Sequence, residues 1–198
     1  MSFPEMLQAE FRDLQVDVSS FALQQLARYA SEIEHWNKAV NLTALRGRAL
    51  VRRLIVEPVW VGQHMQMKGS MSDVGSGNGS PGLPLHITRD FASTHLIEPR
   101  ARRAAFLRHT IVKLGLTGVG VDRCRVEEMP KKAVSSDWIT LQAIDPTPEL
   151  TRNLRRIANE TTRVVWITSV DTPPVAAAEK LEVPGGTTKI WTFSLDQI

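Results

Sequence analysis

Residues 73–85 read DVGSGNGSPGLPL, with Gly75, Gly77 and Gly79 at alternate positions ahead of a proline and an apolar run. Glycines so spaced bare the main chain, and a ligand can lie against amide groups with no Cβ between them. The stretch follows a strand-like segment and precedes a helix-like one, which is where open α/β sheets bind ligands. The spacing is not that of a dinucleotide fingerprint. G-x-G-x-x-G would place its third glycine where Ser80 stands, and Pro81 follows. The P-loop pattern G-x-x-x-x-G-K-[ST] does not occur here.

Two carboxylates extend the pattern. Glu98 closes the strand-like segment STHLIE about twenty residues beyond the glycines, where an acid accepts the hydroxyls of an adenosine ribose. Glu127 lies in CRVEEMP, after the next strand-like segment. There a carboxylate can take an adenine amino group while the Val126–Glu127 main chain faces the ring. A glutamate at a strand end is ordinarily a surface residue, and the conjunction gives these two their weight. A bared loop, a ribose acid and an adenine acid after successive strands describe a nucleoside pocket without a pyrophosphate grip. S-adenosylmethionine is the ligand that such a pocket suits.

Other chemistries find little support. His35, His64, His86, His95 and His109 are scattered without ligand spacing, and no metal site is expected. Cys124 is the single cysteine, which excludes an intramolecular disulfide and a thiolate-rich zinc site. It sits in DRCRVEE and not after a proline, which argues against a covalent thiolate mechanism at a cytosine. Net charge is +3, and the arginines cluster at Arg46, Arg48, Arg52 and Arg53, at Arg100, Arg102, Arg103 and Arg108, and at Arg152, Arg155 and Arg156. Solvated helix faces are the ordinary reading of such clusters, although guanidinium groups also grip phosphates bidentately.

The elements that must position these groups follow from periodicity and punctuation. The first third is helical: PEMLQAEFRDL opens on Pro4 and Glu5, both favoured at a helix start, and a second helix follows Ser19 and Ser20. In that helix Leu26, Tyr29, Ile33, Trp36 and Val40 form one apolar stripe that ends near NLT. A third helix, ALVRRLIVEPVWVGQHM, carries Pro58, which is expected to kink or divide it. Beyond residue 70, MSDV, STHLIE, GVGVDR, DWITLQ and RVVWIT alternate with helical patterns. The clearest of these is RARRAAFLRHTIVKL, closed by Gly115, and TPELTRNLRRIANE forms a second with Thr147 as its cap. In KLEVPGGTTKIWTFSL, two period-2 runs meet at Gly185 and Gly186, a hairpin signal. The fold class is therefore α/β: a doubly wound, mostly parallel, seven-stranded sheet with an antiparallel hairpin at its end. Residues 1–68 are expected to be a helical extension packed on a core of residues 69–198. No apolar run approaches the ~20 residues of a membrane helix, and a cytoplasmic monomer is expected.

The segments WNKAVNLTALR, DVGSGNGSPGLPL, LIEPRARRAAFLRHTIVKLGL and RVEEMP resemble the glucose-inhibited division protein B family. These are bacterial S-adenosylmethionine-dependent methyltransferases acting on the 7-nitrogen of a guanine in small-subunit ribosomal RNA. The resemblance implies that Asp73, Gly75, Gly77, Gly79, Ser80 and Gln142 belong to the cofactor site, with Glu98 on the ribose and Val126 with Glu127 on adenine. It implies the RNA or the 30S subunit as partner, with Asn41, Arg46, Arg52, Arg53, Arg102 and Arg103 on the substrate side. The chain departs from the family where Arg53 stands for a histidine, Val56 for an acid, and Gln142 for an arginine near the cofactor; a Lys-Gly after the fifth strand is missing. No catalytic acid, base or nucleophile is assigned. The departures keep two alternatives open: a cofactor- and RNA-binding relative without transfer activity, and a methyltransferase with another acceptor.

Overall fold

The structure, a computed structural model, describes residues 1–131, 134–145, 147–186 and 188–197. Helix α1 (Phe3–Asp13) starts where the sequence expects, with the Ser2 amide donating to Glu5 at 2.7 Å. Helix α2 (Ser20–Val40) is capped by Ser19, whose hydroxyl accepts the Ala22 amide at 3.1 Å. It ends at Asn41, whose φ of +55° turns the chain into the left-handed region that asparagine tolerates.

The third helix, expected to kink or divide at Pro58, is interrupted just ahead of it by a π turn. Helix α3 (Gly47–Val51) passes into a π-helical turn over Arg52–Val56 and on into α4 (Glu57–His64). The Glu57 amide reaches back to the Arg52 carbonyl, so the wider turn takes up the ladder one residue before the proline, which has no amide to offer.

The seven strands are β1 (Gly69–Val74), β2 (Phe91–Ile97), β3 (Val119–Asp122), β4 (Ser136–Gln142), β5 (Ala158–Thr168), β6 (Glu179–Glu182) and β7 (Lys189–Ser194). Their order is β3-β2-β1-β4-β5-β7-β6. The first five pair in parallel; β7 returns antiparallel on β5, and β6 pairs antiparallel with β7. The order reverses at β1, flanked by β2 and β4, which opens a crevice at the carboxyl ends of these strands. Helices α5 (Gly82–Thr88), α6 (Ala101–Leu114) and α7 (Pro148–Leu154) complete the winding.

The two faces of the sheet are read off β5, where Val165 and Ile167 join one buried cluster and Val164 and Trp166 the other. The first cluster also takes Leu7, Leu26, Tyr29, Ile33 and Leu50 from the N-terminal helices, which therefore pack on that face. The helix over TPELTRNLRRIANE is shorter than expected. It stops at Leu154, Ile157 is fully buried in the second cluster, and Ala158 already pairs with Ser136. Burial and strand pairing override the helical pattern of residues 155–160.

Candidate cofactor site

At the carboxyl ends of β1, β2, β4 and β5 lies a cavity of about 550 Å³, the size of a small-molecule site. Gly75, Ser76, Gly77, Asn78 and Ser80 line one wall, Glu98, Pro99, Arg100 and Arg103 a second, and Gln142, Ala143 and Ile144 a third. Leu42 and Thr43, on the connection after α2, and Arg53, on the π turn, close it from the N-terminal part of the chain.

The wall after β1 is held from beneath. The loop turns back on itself through the Gly79 amide, which donates to the Ser76 carbonyl at 2.6 Å, and Tyr29 donates its hydroxyl to the Asn78 carbonyl at 2.9 Å. Tyr29 is fully buried, and its phenol titrates well above its ordinary range because burial, and then the charge of Asp73, disfavour the anion. The glycines divide into two kinds. At Gly77, with φ of +50°, an added Cβ would meet nothing closer than an Arg103 nitrogen at 3.4 Å. That position faces the cavity and is bare toward a ligand. At Gly79 an added Cβ would sit 2.7 Å from Leu83 and 3.2 Å from Leu107. Gly79 packs closely on Leu83 and Leu107 and lies outside the cavity lining.

Glu98 is 3 % exposed and lines the cavity. Its Oε2 accepts the Gly77 amide at 2.9 Å and its Oε1 the Arg100 amide at 2.8 Å. Each carboxylate oxygen keeps a further lone pair for a ligand hydroxyl. Asp73, 1 % exposed, lies under the loop and does not line the cavity. Its Oδ1 accepts the Thr140 hydroxyl at 2.7 Å, while Oδ2 is buried without a hydrogen bond. Burial first, opposed by nearby polar groups led by Thr140 and reinforced by the charge of Glu98, raises its pKa from 3.8 to about 7. The Asp73 side chain thus ties β1 to β4 through Thr140, and its main-chain carbonyl accepts the Ser76 hydroxyl at 2.8 Å.

The remaining expected residues fall in several places. Val126 and Glu127 lie outside the cavity lining, on a 3₁₀ turn (Val126–Glu128) after β3. Val126 is buried in the second core cluster, and the exposed Glu127 lies 3.6 Å from Arg125. Gln142 does line the cavity, and its side-chain amide donates to the Arg53 carbonyl at 3.4 Å. Arg53 and Arg103 line it as well; Arg102 is exposed and outside it.

Asn41, Arg46 and Arg52 are not among the lining residues. Asn41 ends α2, and Arg46 donates to the Thr43 and Leu45 carbonyls at 2.8 Å. Arg52 holds Glu10 at 2.9 Å, the Pro184 carbonyl at 2.6 Å and Glu57 at 3.6 Å, and so staples α1, the π turn and the β6–β7 connection. Val56 is fully buried in the core. Sequence reasoning missed Tyr29, Ser76 and Asn78 as parts of the site, while Arg100, noted there as lying beside Glu98, does line the cavity. Only Tyr29 carried a signal, since a tyrosine on an apolar stripe needs a partner for its hydroxyl.

The walls fit an adenosine-containing ligand on three observations. A buried carboxylate with free lone pairs faces the cavity, the main chain at Gly77 is bare, and the buried Ser80 hydroxyl, on the lining, has no partner. Among the described residues, no cluster of three or more His, Cys, Asp or Glu side chains is placed to hold a metal ion, and no helix is long and apolar enough to cross a membrane.

An S-adenosylmethionine-dependent methyltransferase from Aquifex aeolicus superposes with a TM-score of 0.58 at 17% identity, covering 83% of this chain and 97% of that one. At that identity the likeness shows the fold alone. A Neisseria meningitidis serogroup C protein named ribosomal RNA small subunit methyltransferase G is 32% identical over 72% of this chain and 69% of its own length. A Serratia proteamaculans protein of the same name is 41% identical over 54% of this chain and 52% of its own. The family model described as GidB, rRNA small subunit methyltransferase G, matches residues 22–173. With its glycine loop, its buried strand-end carboxylate and this match over most of its length, the chain belongs to the GidB family of small-subunit ribosomal RNA methyltransferases.

Proposed function

We propose that the chain transfers a methyl group from S-adenosylmethionine to the 7-nitrogen of a guanine in small-subunit ribosomal RNA. The observation that carries the reading is Glu98, buried, facing the cavity and tied to the bare Gly77 amide. In this reading Glu98 receives the ribose hydroxyls, and Gly75 and Gly77 let the methionine portion lie along the loop. Val126 and Glu127 receive adenine at the outer edge, which requires the ligand to extend past the cavity toward β3.

The sulfonium supplies an activated methyl group. The guanine 7-nitrogen presents an in-plane lone pair and needs no proton removed, so the protein's contribution is alignment, worth several orders of magnitude in rate. That requirement accords with the lining, whose one carboxylate, Glu98, already has two amide partners. The RNA backbone would meet Arg46, Arg100 and Arg102, all exposed. The protein is read as a cytoplasmic monomer without a metal.

Transfer of labelled methyl to 30S subunits or to naked small-subunit RNA tests the proposal, with 7-methylguanosine as the expected product. Intact cofactor binding without transfer to either substrate would establish the second reading, a binding relative, which the changes at Arg53 and Gln142 on the cavity wall favour.

A further inference from the structure

Three arginines line the cavity: Arg53, Arg100 and Arg103. Their surroundings differ. Arg100 and Arg103 lie on the Glu98 side; the Arg100 amide donates to Glu98, and an Arg103 nitrogen stands beside Gly77, whose amide Glu98 also accepts. Glu98 offsets positive charge there. Arg53 lies on another wall, where its main-chain carbonyl accepts the Gln142 side chain. Among the described residues no carboxylate lines the cavity on that side; Arg53 also borders a neighbouring cavity lined by Glu10, Asp13 and Glu57, none of which pairs with it. The neighbouring Arg48 and Arg52 are consumed by Glu10, Asp13 and Glu57. Arg53 is half-buried as a residue, and its guanidinium has no ion pair or hydrogen bond among the described residues.

A guanidinium beside a cavity and without a protein anion is free to make charge-assisted hydrogen bonds to an anionic ligand group. The proposed cofactor carries one anionic group, the carboxylate of its methionine portion. With the ribose on Glu98 and the chain of the ligand running along Gly77 and Gly75, that end is carried away from Glu98, toward the β4 wall. Gln142, uncharged, offers that wall only an amide, and Thr168 and Thr188 only hydroxyls. We infer that Arg53 is the cation that binds the cofactor's carboxylate, so that this π-turn residue from the N-terminal helices serves the cofactor and not the RNA.

The inference rests on the proposed S-adenosylmethionine site, and one experiment separates the two. Affinities of the wild type, Arg53→Met and Arg53→Lys would be measured by calorimetry for S-adenosylhomocysteine and for 5′-methylthioadenosine, which shares the nucleoside and thioether but lacks the aminocarboxylate. For Arg53→Met the expected result is a loss of about 10- to 100-fold toward S-adenosylhomocysteine, the scale of a lost charge-assisted bond. Methylthioadenosine should change by less than about twofold, and Arg53→Lys should recover part of the loss. Equal losses for both ligands would assign Arg53 to holding the wall and overturn the inference. Unchanged affinity for both would also overturn it, and with weakened RNA binding would return Arg53 to the acceptor. Wild-type protein that binds neither ligand would overturn the cofactor site itself.

Discussion

Glu98 Oε2 accepts the Gly77 amide at 2.9 Å, so the carboxylate assigned to the ribose also pins the loop that bares its main chain to the ligand. Replacing Glu98 by alanine should weaken S-adenosylmethionine binding by about 1–3 kcal/mol, the scale of lost hydrogen bonds to a charged group. Glu98→Gln keeps one acceptor for the Gly77 amide and should lose less. Isothermal calorimetry reads both, and unchanged affinity in Glu98→Ala removes the ribose assignment.

Gly77 and Gly79 should respond to alanine in opposite ways. An added methyl at Gly77 has room and points into the cavity, so Gly77→Ala should fold with about 1 kcal/mol of left-handed strain and lose cofactor affinity. Gly79 has φ of +91°, and a methyl there meets Leu83 at 2.7 Å. Gly79→Ala should be destabilised by about 2–4 kcal/mol through strain and overpacking. Urea unfolding and ligand titration of the two variants distinguish the roles; equal destabilisation would contradict the division.

Asp73 should leave a mark on the pH dependence of stability. Its pKa rises from 3.8 to about 7 on folding, so between those values the folded state holds a proton that the unfolded state has released. Stability from this group is complete below about pH 4 and is lost as pH rises through 7, by roughly 2–4 kcal/mol in total. Asp73→Asn removes the titration, so its melting temperature should fall less than that of the wild type between pH 5 and pH 8. Parallel profiles for the two proteins would show that Asp73 is ionised throughout.

Glu10 is 2 % exposed and paired with both Arg48 and Arg52. Its replacement by alanine strips Arg52 of its nearest carboxylate and should cost about 2–4 kcal/mol. A lower urea midpoint at unchanged slope is the expected readout. Arg48→Ala should cost far less, since that side chain is 71% exposed and its partner keeps Arg52.

Contact of the exposed arginines with phosphates should make RNA affinity fall steeply with salt. Substituting Arg102 should lower the slope of log affinity against log salt by about one unit if it meets a phosphate. A flat profile for the wild type would point to an acceptor other than nucleic acid.

The sequence by itself determined the strand–helix alternation, the closing hairpin, the glycine loop and the strand-end glutamate, because each is written in local spacing that short-range sterics enforce. Residue types within one loop reveal where a main chain is bare, so Gly77 and Glu98 were legible together. Tertiary packing decided the rest. Nothing local distinguishes Gly79, pressed against Leu83, from Gly77, open to the cavity. Arg52 and Arg53 are adjacent in sequence and alike in chemistry, yet one is locked between Glu10 and Glu57 while the other lines the cavity with no ion pair for its guanidinium among the described residues. Their fates diverge because carboxylates from α1 and α4 converge on the first, and which groups converge is a property of the packed chain.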